Sequence, residues 1–153
     1  MQRYSLQKHL GPYTLDKALF QRIESYINRN IPRILLLNLE KGRDNPLSAF
    51  ITITIQKQQG KEVLRTIDDY GYELFDENVD EVTVELVHNN AFNFWGQKVI
   101  VLIMTFNLES GYCDLSLAIN EEDPRDKVLA IEKGLKAVMN RNKKSLPLAR
   151  FFR

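Results

Sequence analysis

The side chains best suited to catalysis are one cysteine and two histidines, Cys113, His9 and His88. A nucleophilic cysteine needs a base within hydrogen-bonding distance and an electropositive setting that stabilises the thiolate. Cys113 alternates with polar residues in phase with Leu115 and Leu117, so its side chain is predicted to point into the core as a small apolar group. A single cysteine also excludes an internal disulfide and a multi-cysteine zinc site.

The motifs that supply zinc ligands, phosphate cradles and exposed serine nucleophiles are all missing. The sequence contains no H-E-x-x-H, no G-x-x-x-x-G-K-[ST], no G-x-G-x-x-G and no G-x-S-x-G. We therefore predict no catalytic residue, no cofactor and no metal ligand. The absence of these motifs excludes the enzyme classes that are recognised by a short local motif, and it does not exclude other enzyme classes.

Eight carboxylates lie between residues 68 and 85, and no lysine or arginine occurs between Thr66 and Gln97. One interpretation is a divalent-cation site, because hard cations prefer several carboxylate oxygens. The stretch Asp76–Asp80 resembles a calcium loop only in its acids, since it lacks the central glycine and the terminal glutamate at the required spacing. A solvated negative face is the interpretation that we favour.

Three aromatic residues and three asparagines are concentrated between His88 and Gly96, which we term the aromatic–asparagine segment. Aromatic rings supply contact area at low entropic cost and asparagine supplies adaptable hydrogen bonds, a composition typical of recognition loops. The segment predicts a partner-binding site made of Asn89, Asn90, Phe92, Asn93, Phe94 and Trp95. The alternative is a loop whose aromatic rings fold back and close one end of a sheet.

The C-terminal end is basic, with seven Lys and Arg residues and no acid from Lys133 onward. A basic contact patch is predicted at Arg141, Lys143, Lys144, Arg150 and Arg153. Phosphate contact is one use of such a patch, and complementing a helix dipole is another. With a net charge of +1 the chain has no general attraction for nucleic acid, so nucleic acid is not the expected partner. The separated acids and bases can pair between two copies, or within one.

The 153 residues predict one α+β domain, with residues 1–12 and 142–153 as terminal extensions. A helix capped by Thr14 is expected to run to about residue 29, and a C-terminal helix begins at Asp123 and Pro124. Between the helices, alternating or apolar runs predict a curled antiparallel sheet of five or six strands, at residues 33–39, 49–57, 63–67, 82–86, 98–108 and 113–119. The run 98–108 is apolar at both alternating positions, which predicts a strand covered on both faces.

The chain shows no apolar segment long enough for export or membrane insertion, so we expect a cytoplasmic protein without a membrane partner. The missing catalytic motifs, the aromatic–asparagine segment and the split charge together favour a non-catalytic protein-interaction domain that binds a protein partner or forms a homodimer. The alternative is a small-ligand or enzymatic pocket between the sheet and the C-terminal helix, with Tyr70, Tyr72, Trp95 and Tyr112 in its wall.

Overall fold

The structure, a computed structural model, describes residues 2–35, 47–57, 60–64, 78–89 and 98–144. For residues 48, 49, 61–64, 89 and 98 it describes the backbone alone. The described ranges contain strands β1 (Arg3–Leu10), β2 (Ile51–Lys57), β3 (Gly60–Leu64), β4 (Val79–Asn89), β5 (Lys98–Asn107) and β6 (Cys113–Asn120), and helices α1 (Lys17–Arg29), α2 (Ile31–Ile34) and α3 (Pro124–Met139). Short 3-10 turns occur at Leu47–Phe50 and Asn140–Asn142. The α+β prediction is confirmed.

The six strands form one antiparallel sheet in the order β1-β6-β5-β4-β2-β3. β5 pairs with β6 on one side and with β4 on the other, so that Leu102 lies opposite both Leu117 and Leu86. The strands predicted at 49–57, 63–67, 82–86, 98–108 and 113–119 therefore correspond to β2 through β6, with shifted ends. The sheet carries the hydrophobic surface on which the helices pack.

β1 was not predicted, because its residues were assigned to the N-terminal extension. It pairs with β6 along its whole length, from Arg3 opposite Asn120 to Leu10 opposite Cys113. Tyr4, Leu6 and Leu10 recur at every second residue, but the position between Leu6 and Leu10 in this series is the exposed Lys8. The lysine interrupts the apolar alternation by which a strand is recognised in a sequence. At the other end of the chain, the backbone amide of Lys144 donates to the Pro12 carbonyl at 3.0 Å, so the start of the predicted C-terminal extension contacts the segment that follows β1.

Both long helices lie on the same face of the sheet, which we call the covered face. Phe20 of α1 meets Phe106 of β5 edge-on, with ring centroids 5.0 Å apart. α3 packs on β1 and β6 through the side chains of Val128, Ile131 and Leu135, which are fully buried. The covered side therefore forms a filled hydrophobic core, in which burial of each large apolar side chain stabilises the fold by about 1.5–3 kcal/mol.

The helix ends differ in detail from the prediction. α1 is capped by Asp16 rather than Thr14, because the Asp16 carboxylate accepts the Leu19 backbone amide at 2.8 Å. α3 begins at Pro124 as predicted, but Asp123 has a φ of 50° and its side chain makes no capping hydrogen bond. Leu129 of α3 is 38% exposed, next to the fully buried Val128.

The strand predicted at residues 33–39 is wrong at its start, because Ile31–Ile34 form α2. Pro32 lies in the first turn of this helix, where its missing amide costs no hydrogen bond. The chain therefore re-enters helical geometry after Asn30, and the remaining residues 36–39 lie outside the described part. Among the described helices, none combines the length and the apolar character needed to cross a membrane.

Candidate interaction surface

The two faces of the sheet differ most clearly along β5. Leu102 and Met104 point to the covered face and are 0% exposed. Val101 and Ile103 alternate with them, so they point to the opposite side, and both remain partly exposed. We call this opposite side the open face, because the described helices pack on the other side. The described helices thus cover one face of β5, where the sequence predicts cover on both.

An apolar row crosses the open face at its centre. Val101 lies opposite Val87 of β4 on one side and opposite Ala118 of β6 on the other. Ile103 lies two residues along β5, between Glu85 and Ser116. Side chains directly opposite each other in antiparallel strands are about 5 Å apart, so the four apolar residues form one continuous patch.

Polar side chains surround the apolar patch. The hydroxyls of Thr83 and Thr105 lie 3.3 Å apart on neighbouring strands, one row further along. On β2, Thr54 lies opposite Thr83 and Thr52 lies opposite Glu85, so polar side chains also border the patch beyond β4. Threonine packs well on a pleated surface and keeps its hydroxyl for water or for a partner. The open face therefore has an apolar centre and a polar border, in which threonines are joined by the carboxylates of Glu85 and Asp114.

A histidine–aspartate pair lies at the β1 side of this face. Nδ1 of His9 is 2.6 Å from the Asp114 carboxylate, and the His9 ring stacks on Tyr112 with centroids 4.6 Å apart. Both members of the pair are largely exposed. The pair borders a shallow groove of about 470 Å³ that also reaches Ile103 and Ser116. The groove is continuous with the apolar patch.

Cys113 and His88 are not brought together as a catalytic pair. Cys113 lies opposite Phe106 and His88 lies opposite Ile100, six residues apart on β5, which corresponds to about 20 Å along a strand. Burial raises the pKa of the Cys113 thiol to about 12, with a smaller contribution from Asp114. The thiol is 0% exposed. The prediction that Cys113 is a buried apolar group is confirmed.

Most of the partner-binding residues predicted in the aromatic–asparagine segment lie outside the described residues. Asn89 ends β4, where its backbone alone is described, and Asn90, Phe92, Asn93, Phe94 and Trp95 lie outside the described residues. His88, at the start of the segment, points to the covered face and meets Phe50 edge-on at 4.5 Å between ring centroids. Burial lowers the pKa of His88.

Part of the predicted basic patch is held beside the turn that follows β1. Arg141, Lys143 and Lys144 are exposed, whereas Arg150 and Arg153 lie outside the described residues. Asn142 anchors this region, since its side-chain amide donates to the Thr14 carbonyl at 2.7 Å and its side-chain oxygen accepts from Arg22. The three cations are therefore placed at the sheet edge, outside the apolar patch.

The acidic segment is described only where it enters β4. Glu81 and Glu85 point to the open face, and residues 68–77 lie outside the described part. Within the described ranges no three His, Cys, Asp or Glu side chains group in a way that could hold a metal ion. Glu121 instead pairs with Lys127 at 2.5 Å, next to the start of α3.

Along the middle of α3, the side chains between the sheet and this helix are packed: Leu117 of β6 and Ile131 and Leu135 of α3 are each 0% exposed. Of the residues proposed for the pocket wall, Tyr112 is 37% exposed and stacks on His9, and Tyr70, Tyr72 and Trp95 are outside the described part. A groove of about 520 Å³ lies between the start of β1 and the start of α3, beside Tyr4 and Asp126, and none of the four residues proposed for the pocket wall lines it.

Sequence reasoning missed Val87, Val101, Ile103 and Ala118 as surface residues, although one signal was available. β5 is apolar at both alternating positions, which predicts cover on both faces, and cover on the second face can come from another molecule. Comparison of the chain with protein-family models, with curated proteins and with solved structures finds no match.

Proposed function

We propose that this chain is a non-catalytic protein-interaction domain and that the open face is its binding surface. One observation carries the proposal: Val87, Val101, Ile103 and Ala118 form a continuous apolar patch on the side of the sheet opposite the described helices. Transfer of such side chains from water into a protein interface is favourable at about 25 cal/mol per Å² of apolar area.

The arrangement of the face supports a protein rather than a small ligand as the partner. Protein interfaces combine an apolar centre depleted of charge with a polar rim, and the threonines around the patch provide that rim. A small ligand is usually held in a concave site that encloses most of its surface. The patch lies on the surface of three adjacent strands, and the adjoining groove beside Ile103 is shallow rather than enclosed.

The experiment is site-specific photo-crosslinking of the full chain in its native cell. A photoreactive amino acid replaces Ile103 on the open face, and a matched variant carries it at Lys133, which is exposed on α3. We expect discrete protein adducts from position 103 that disappear when Val101→Glu is added, and no equivalent adducts from position 133. Equal adducts from both positions, or none from position 103, would contradict the proposal.

A further inference from the structure

We infer that the open face binds a second copy of this chain, face to face, with a two-fold axis parallel to β5. The inference rests on the proposed function, because it assigns a partner to the same surface. β5 is the middle strand of the five from β1 to β2 in the sheet order. An axis along β5 therefore places β6 of one copy over β4 of the other, and β1 over β2.

The central contacts of this arrangement are apolar and complementary in size. Rotation about an axis parallel to the strands keeps each row of side chains opposite the same row of the partner. Val101 and Ile103 then lie near their own symmetry mates, and the small Ala118 faces the larger Val87. Interdigitation of large and small side chains is how two sheets pack at about 10 Å separation.

The polar contacts match as well. In the row of Ile103, Ser116 faces Glu85, so that a hydroxyl can donate to a carboxylate. In the row of Asn107, Tyr112 faces Glu81; both are exposed in the single chain. Asp114 is the one acid of β6 on this face; its carboxylate lies 2.6 Å from Nδ1 of His9, and its row places it opposite Thr83 of the partner copy. Glu81 and Glu85 each meet a hydroxyl donor instead of another acid.

The size of the open face is sufficient for a stable dimer. Five strands spaced about 4.8 Å apart are roughly 24 Å wide, and four rows at about 6.8 Å intervals are roughly 27 Å long. The product is on the order of 600 Å² of projected area per copy. Accessible surface exceeds projected area because side chains are rough, so each copy buries close to the roughly 800 Å² of a standard interface.

The test uses charge complementation at Val101, followed by native mass spectrometry of the full-length chains. We expect the wild type to form dimers, and Val101→Lys and Val101→Glu each to be monomeric, because like charges then meet at the axis. Mixing the two variants should restore a heterodimer at a level at least tenfold above either variant alone. Lys133→Glu is the control and should dimerise as the wild type does.

Three outcomes overturn the second-copy inference: a monomeric wild type, dimers that persist in both single variants, or a mixture that stays monomeric. The proposed function fails separately, through the crosslinking of position 103 in cells. A monomeric wild type whose position 103 still crosslinks to another protein would remove the second copy and keep the interaction domain. Circular dichroism of each variant checks the fold, which we expect to be retained because Val101 is partly exposed on the open face.

Discussion

Adjacent residues of β5 should respond very differently to truncation, because one points into the core and the other to the open face. Leu102 is 0% exposed, and Leu102→Ala removes three carbon atoms from a packed site. At about 0.8 kcal/mol per carbon plus a cavity contribution, we expect a loss of about 3–4 kcal/mol in the free energy of unfolding. Ile103 is partly exposed, so Ile103→Ala should cost about 1 kcal/mol or less in the monomer through lost cross-strand contact.

Urea unfolding followed by circular dichroism measures both costs. With a slope of about 2 kcal/mol per M, the midpoint should fall by about 1.5–2 M for Leu102→Ala and by about 0.5 M for Ile103→Ala. If two copies associate as proposed, the loss in midpoint caused by Ile103→Ala should increase with protein concentration, because association stabilises the wild type by mass action. The loss caused by Leu102→Ala should increase much less.

Equal losses for the two variants in dilute solution would refute the assignment of the two faces. Such a result would mean that Ile103 is packed within its own chain as tightly as Leu102. A larger loss for Ile103→Ala than for Leu102→Ala would mean that the register of β5 is displaced by one residue, which exchanges the two faces.

Three further predictions follow from single contacts. Gly134→Ala should lower the urea midpoint, although alanine is the better helix former, because a Cβ at Gly134 would overlap the Tyr26 ring. In a Tyr26→Ala background the same substitution should become neutral or stabilising. Cys113 should resist a thiol reagent in the native protein and react fully in urea, since burial raises its pKa to about 12; rapid native labelling would contradict its position in the core. Burial lowers the pKa of His88 below 6.5, so the unfolded chain takes up a proton at a higher pH than the folded chain does. The free energy of unfolding should therefore fall as the pH decreases from 6.5 through the folded pKa. Urea titrations at successive pH values should show that His88→Gln removes this part of the loss and that the control His9→Gln retains it.

The elements with clear periodicity were predictable from the sequence. Ile53 and Ile55 in β2, and Cys113 to Ile119 in β6, are buried at alternate positions as their pattern indicates. β1 was not predictable in this way, because its exposed Lys8 occupies a position of the apolar phase and its pairing with β6 joins residues more than 100 positions apart. Long-range pairing of this kind leaves no local pattern in the sequence.

The proposed binding surface was predictable only in part. The apolar character of β5 on both faces is visible in the sequence, but it does not say which face the helices cover. That choice depends on the register that places Val101 between Val87 and Ala118, and on the side from which α3 packs on β6. The partner-binding prediction for Phe92, Phe94 and Trp95 stays a prediction, because these residues lie outside the described part.

Sedimentation equilibrium of the full chain measures most directly whether the open face binds a second copy. The wild type should show a weight-average mass that rises with concentration from 17.9 kDa towards twice that value, and Val101→Glu should remain at 17.9 kDa. A wild-type mass of 17.9 kDa at every concentration, or the same association in Val101→Glu, would contradict the assignment of the open face as the surface between two copies.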